Sequence, residues 1–137
     1  MALLKEILLV DDDSINLLLC ELLSQKEGFA EKCVKCFNGQ EAINYLKRIV
    51  EEDHPAPDLI FLDINMPVMN GWDFLNEFEQ IKPTLRRRPK IIVLSSSPDP
   101  NDVTKAYSYS EVIHFISKPL QAQSLRDIRA KHFQHLS

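Results

Sequence analysis

Strand-length runs alternate with helix-period segments along the whole 137-residue chain, and this alternation constrains the fold more than any other feature. Residues 5–10 (KEILLV), 58–63 (DLIFLD) and 90–94 (KIIVL) are apolar runs of the kind buried on both faces of a sheet. Residues 29–37 (FAEKCVKCF) and 111–117 (EVIHFIS) read as two further strands. Between them lie helices. Ser14 is placed to cap the first, whose expected buried stripe is Ile15, Leu18, Leu19 and Leu22, with Gly28 ending it. Asn38 followed by Glu41 opens a second, with Ala42, Ile43, Leu46, Ile49 and Val50 on one side. His54-Pro55-Ala56-Pro57 forbids its continuation. Residues 64–71 (INMPVMNG) form a loop broken by Met66-Pro67 and Asn70-Gly71, ahead of a helix marked by Trp72, Leu75, Phe78 and Ile81. Asp99 with Pro100 predicts a fourth start, and Leu125, Ile128, Phe133 and Leu136 mark the last helix. Five strands interleaved with five helices imply a parallel sheet covered on both faces, an open doubly wound α/β domain filling residues 1–137.

Composition narrows the function. A net charge of −4 argues against direct nucleic-acid binding, which calls for a basic domain. Three glycines leave no glycine-rich phosphate loop, and no apolar run reaches membrane-span length, so neither a P-loop nor membrane insertion is expected. The N-terminus meets carboxylates too early for a cleaved signal peptide, and the expected setting is the cytoplasm. Cys20, Cys33 and Cys36 are too few for a disulfide framework. Cys33 and Cys36 match C-x-x-C, but positions three apart on a strand point to opposite faces, which disfavours a redox or zinc site. His54, His114, His132 and His135 lack metal-ligand spacing and read as structural or surface residues. Arg86-Arg87-Arg88 reads as a solvated loop face, the alternative being a docking patch for an acidic partner.

The polar residues that close the strands carry the chemistry. In open α/β sheets the ligand site lies beyond the carboxyl ends of the strands. Asp11, Asp12 and Asp13 follow the first strand, Asp63 the third, Ser95 the fourth and Lys118 the fifth. A parallel sheet therefore gathers carboxylates, a hydroxyl and an ammonium at one edge. Asp13 adjoins a helix start and reads as a capping residue. The remaining carboxylates repel one another unless a cation compensates, and an all-oxygen donor set selects a hard ion, Mg²⁺ before zinc. Such a set suits phosphoryl chemistry with a carboxylate nucleophile.

LLVDDD, LIFLDINMPVMNG, IIVLSSS and FISKP together closely resemble the receiver domain of two-component response regulators, and the match covers nearly the whole chain. The resemblance implies a flavodoxin-like (βα)5 sheet in the order 2-1-3-4-5. It implies a stand-alone, chemotaxis-type regulator with no output domain. Asp63 would be the phosphoacceptor, taking its phosphoryl group from a histidine of a sensor kinase or phosphotransfer protein. Asp12 and Asp63 would bind Mg²⁺ directly, Asn65 through its main-chain carbonyl, and Asp11 through water or a supporting contact. Lys118 would pair with the phosphoryl oxygens beside a cis Lys118–Pro119 bond. Ser95 and Phe115 would be the switch pair that alters the surface offered to a downstream protein. The resemblance leaves open a homodimer formed on phosphorylation, a phosphorelay role, and a scaffold that is never phosphorylated. No separate enzyme substrate is expected. A phosphatase of the haloacid-dehalogenase kind wants D-x-D, and here Asp63-Ile64-Asn65 puts an amide where the acid belongs.

Overall fold

A computed structural model describes residues 4–133 except 67 and 97. The five strands are β1 (Leu4–Val10), β2 (Ala30–Cys36), β3 (Leu59–Asp63), β4 (Lys90–Ser95) and β5 (Val112–Ser117). They form one parallel sheet in the order β2-β1-β3-β4-β5. The helices are α1 (Ser14–Glu27), α2 (Gly39–Glu51), α3 (Gly71–Ile81), α4 (Pro100–Tyr107) and α5 (Ala122–His132).

The central strands show why apolar runs were needed. Leu8 and Val10, Ile60 and Leu62, and Ile91 and Val93 face a core shared with α2, α3 and the Ala106 end of α4. Their neighbours Ile7 and Leu9, Leu59 and Phe61, and Ile92 and Leu94 face a second core closed by α1 and α5. Alternate side chains leave opposite faces of a strand, so each central strand feeds both cores. β2 obeys the same rule: Cys36 lies in the first core and Cys33 packs against the second. Burial, then the charge of Glu41, pushes the Cys36 thiol up to about 12, which makes it a poor nucleophile.

The first helix chooses between two cap readings and corrects a third. Asp13 is the N-cap, as its place beside the helix start suggests: its carboxylate accepts from the Ile15 and Asn16 N–H groups, and Ser14 is the first helical residue, not the cap. The expected buried stripe is on the wrong side. Ile15, Leu18, Leu19 and Leu22 are 68%, 49%, 56% and 50% exposed, while Leu17, Cys20 and Ser24 face the sheet. This helix carries apolar residues on two faces, so spacing alone does not choose between them.

The other helices follow their signals closely. Asn38 Oδ1 accepts from Glu41 N–H, but Glu41 reaches back to Phe37 N–H, one residue before the cap. Asn70 and Asp73 form a reciprocal capping box, and Asp99 caps α4 with Pro100 in its first turn. Trp72 is half-buried against the first core, with Lys105 Nζ 4.4 Å from its ring centroid. Leu125, Ile128 and Phe133 are buried as expected; Leu136 and His135 lie outside the described residues. Arg86, Arg87 and Arg88 are exposed, as a solvated loop face requires. Arg86 and Arg87 also pair with Asp53 and Asp58 at 2.9 and 2.7 Å, linking the loop before β4 to the one before β3. His114 and His132 meet edge to face at 5.5 Å, and His54 lies 3.7 Å from Glu52.

Gly71 fixes how the loop after β3 returns to the domain. A Cβ there would lie 2.5 Å from the Ile64 Cα and 2.9 Å from the Asp63 carbonyl oxygen, both main-chain atoms. The Gly71 N–H meanwhile donates to the Ile64 carbonyl at 3.2 Å. Gly71→Ala should therefore lower unfolding free energy by about 1–3 kcal/mol, read as a lower urea midpoint with an unchanged slope.

Candidate functional site

The sheet order places β1 beside β3, and the carboxyl ends of these two strands bring Asp11 and Asp63 together. Both are buried, at 3% and 4% exposure. Between them stands Lys118 from the segment after β5. Its Nζ lies 2.9 Å from Asp11 Oδ2 and 3.3 Å from Asp63 Oδ2. Each carboxylate uses its other oxygen in the same way. Asp11 Oδ1 accepts from the Asp13 N–H at 2.9 Å, and Asp63 Oδ1 accepts from the Asn65 N–H at 3.1 Å. Both contacts run to the backbone two residues on, the turn geometry that aspartate favours. Two equivalent turns thus face each other across one ammonium.

Asn16 adds a contact that sequence reading missed: its Nδ2 donates to Asp11 Oδ2 at 2.6 Å. The available signal is its position in the first turn of a helix that begins just after Asp11. Asp12 is exposed at the rim. One carboxylate oxygen from each of Asp11, Asp12 and Asp63 lies within 4.8 Å of the others. Three oxygen donors with no nitrogen or sulfur among them fit a hard divalent cation of the Mg²⁺ type. Asn65 is exposed in the loop beyond Asp63.

The electrostatics follow from burial. Desolvation pushes the Asp63 carboxyl above the ordinary value of 3.8; the Asn65 N–H opposes this, Asp11 adds to it, and Lys118 opposes it, without cancelling the rise. For Lys118, burial works against the ammonium, but the hydrogen bonds and charges of Asp11 and Asp63 outweigh it and hold the pKa above the usual lysine value.

Of the two expected switch residues, Ser95 sits at the same edge and Phe115 lies within β5, two residues before its end. Ser95 ends β4 fully buried, and its carbonyl accepts from the Lys118 N–H at 2.8 Å. Phe115 packs half-buried against the first core, and its N–H donates to the Tyr107 hydroxyl at 3.1 Å. The Lys118–Pro119 bond is cis. Among the described residues, no helix is long and apolar enough to cross a membrane.

Comparison with known proteins shows the family. The family profile for the response regulator receiver domain matches residues 7–129. The chemotaxis protein CheY of Thermotoga maritima is 32% identical over 117 residues, 85% of this chain and 88% of that protein. The sensory/regulatory protein RpfC of Xanthomonas campestris is 31% identical over 123 residues, 90% of this chain, which spans only 16% of RpfC. A two-component response regulator from Cytophaga hutchinsonii superposes with a TM-score of 0.86 at 32% identity, covering 96% of this chain and 98% of its own. The chain belongs to the response regulator receiver domain family. That family is a phosphoacceptor signalling domain that generally binds Mg²⁺ at an acidic aspartate cluster and works with histidine kinases or phosphotransfer proteins.

A folded-state pKa above the unfolded one means that the native protein holds the Asp63 proton more tightly. Ionised Asp63 then costs stability once the pH rises past the ordinary carboxylate range. In EDTA at pH 7, Asp63→Asn should be more stable than wild type, read as a higher melting temperature, because the buried charge is removed while Lys118 keeps Asp11 as a partner. Thermal melts should show this advantage shrinking as the pH falls toward 3.8 and disappearing below it, where both states hold the proton.

Proposed function

We propose that this chain is the phosphoacceptor of a two-component pathway and that Asp63 receives the phosphoryl group. The observation supporting this most directly is the juxtaposition of buried Asp63 and Asp11 across Lys118, with Asp12 beside them at the rim. In the reaction a carboxylate oxygen of Asp63 attacks the phosphorus of a phosphohistidine. The P–N bond breaks as the P–O bond forms, and the leaving imidazole keeps the electron pair. The product is a mixed carboxylic–phosphoric anhydride. Asp12, Asp63 and the Asn65 carbonyl would hold Mg²⁺, with Asp11 in support; when bound, the ion neutralises charge on the transferring oxygens.

The protein's own groups do the rest. Lys118 already sits 3.3 Å from the nucleophile and can exchange that contact for a phosphoryl oxygen. The Asn65 N–H orients the attacking carboxylate through its other oxygen. Ser95 would move toward the new phosphoryl group, and Phe115, only half-buried, would turn inward. Because Phe115 N–H is tied to Tyr107, that movement would reach the end of α4 and alter the α4–β5–α5 surface for a downstream protein. Asn65 beside Asp63 offers no general acid for turnover of an external phosphomonoester.

Acetyl phosphate with Mg²⁺ should add the mass of one phosphoryl group to the intact protein. The addition should vanish in EDTA and in Asp63→Asn, and slow by about tenfold or more in Lys118→Ala. Unmodified wild-type protein, under conditions where a control receiver reacts, would instead favour a receiver-like scaffold. Turnover of an added phosphomonoester would favour a phosphatase.

A further inference from the structure

Asp11 and Asp63 share Lys118 but are not equally provided with donors. Asp63 Oδ2 has Lys118 at 3.3 Å, and its other oxygen has the Asn65 N–H. Asp11 Oδ2 holds both Lys118 Nζ at 2.9 Å and Asn16 Nδ2 at 2.6 Å, and its Oδ1 holds the Asp13 N–H. The Asn16 amide is the extra donor, and its own position is fixed twice over. It stands in the first turn of α1, where its N–H donates to the Asp13 cap at 3.3 Å. The Asp13 N–H in turn donates to Asp11 at 2.9 Å. With the Asn16 side chain on Asp11, these bonds close a ring through Asp11, Asp13 and Asn16. Lys118, by contrast, carries its charge on a flexible stem. An ammonium is drawn toward charge that gathers at Asp63; a neutral amide held by a helix stays where it is.

We propose that Asn16 is a positioning residue for phosphoryl transfer: it holds Asp11 while Lys118 leaves that carboxylate for the phosphoryl oxygens. The inference rests on Asp63 being the phosphoacceptor. Asp11 is 3% exposed, and an ionised carboxylate so deeply buried is costly without donors. With Asn16 in place, Asp11 keeps two hydrogen bonds after Lys118 departs. Without it a single backbone N–H remains, and Asp11 holds Lys118 back. Asn16 therefore lowers the cost of moving the ammonium, and it acts through Asp11.

Double-mutant cycles with Lys118 test this, with acetyl phosphate and Mg²⁺ as reagents so that no protein donor has to dock. Asn16→Leu is close in shape but lacks the donor. It should lower the maximal labelling rate by about tenfold, the value of one hydrogen bond to a charged group. The acetyl phosphate concentration giving half-maximal rate should not change. In a Lys118→Ala background the same substitution should slow labelling by about twofold at most, because no ammonium is left to release. A metal-free readout runs the other way. In EDTA, Asn16→Leu and Lys118→Ala combined should lower the urea midpoint by more than the sum of their separate losses, since Asp11 then loses both side-chain donors. Asn16→Ala should repeat the pattern and serves in its place if Asn16→Leu does not fold. A wild-type rate in Asn16→Leu, an equal loss in both backgrounds, or additive midpoints overturn the proposal. Wild-type protein that takes no label would instead defeat the phosphoacceptor reading.

Discussion

Everything at the working edge depends on one ammonium lying between two buried carboxylates. Asp11 and Asp63 are almost completely withdrawn from water, and ionised carboxylates so placed are costly without compensation. Lys118 compensates both at once, and each aspartate turns its second oxygen to a backbone N–H two residues on. No single segment holds this arrangement. Asp11 comes from the end of β1, Asp63 from the end of β3 and Lys118 from the segment after β5, so the parallel topology has to be correct before the charges can meet. The Lys118 N–H, bonded to the Ser95 carbonyl, fixes the last of these segments to the end of β4.

That dependence explains what was legible in the sequence. The central strands are uniformly apolar because both faces are covered, and their ends are polar because the ligand edge begins there. Asp11, Asp12, Asp63, Ser95 and Lys118 could therefore be placed on one edge from the parallel direction of the strands. The Asn16 contact to Asp11 could not, because it depends on the turn the chain makes after β1 and not on any strand end.

The misreading of α1 has a similarly local cause. Its sequence carries two apolar stripes, and spacing predicts burial of the longer one. The structure buries Leu17, Cys20 and Ser24 instead, with Leu17 and Cys20 in the core that α1 and α5 close over the sheet. The result is a helix whose richer apolar face looks outward, an arrangement that costs solvation in the isolated monomer.

The Tyr107 hydroxyl that accepts from Phe115 N–H has a further consequence, for aggregation. β5 is an edge strand, and its outward N–H groups are a template for strand addition by another chain. Tyr107 occupies one of those donors. At the opposite edge, β2 carries exposed Glu31, Lys32 and Lys35, charges that resist a docking strand. Each margin of the sheet thus carries a feature that resists strand addition, one a capped donor and the other a row of charges, so the helices and loops are the surfaces left open to other molecules.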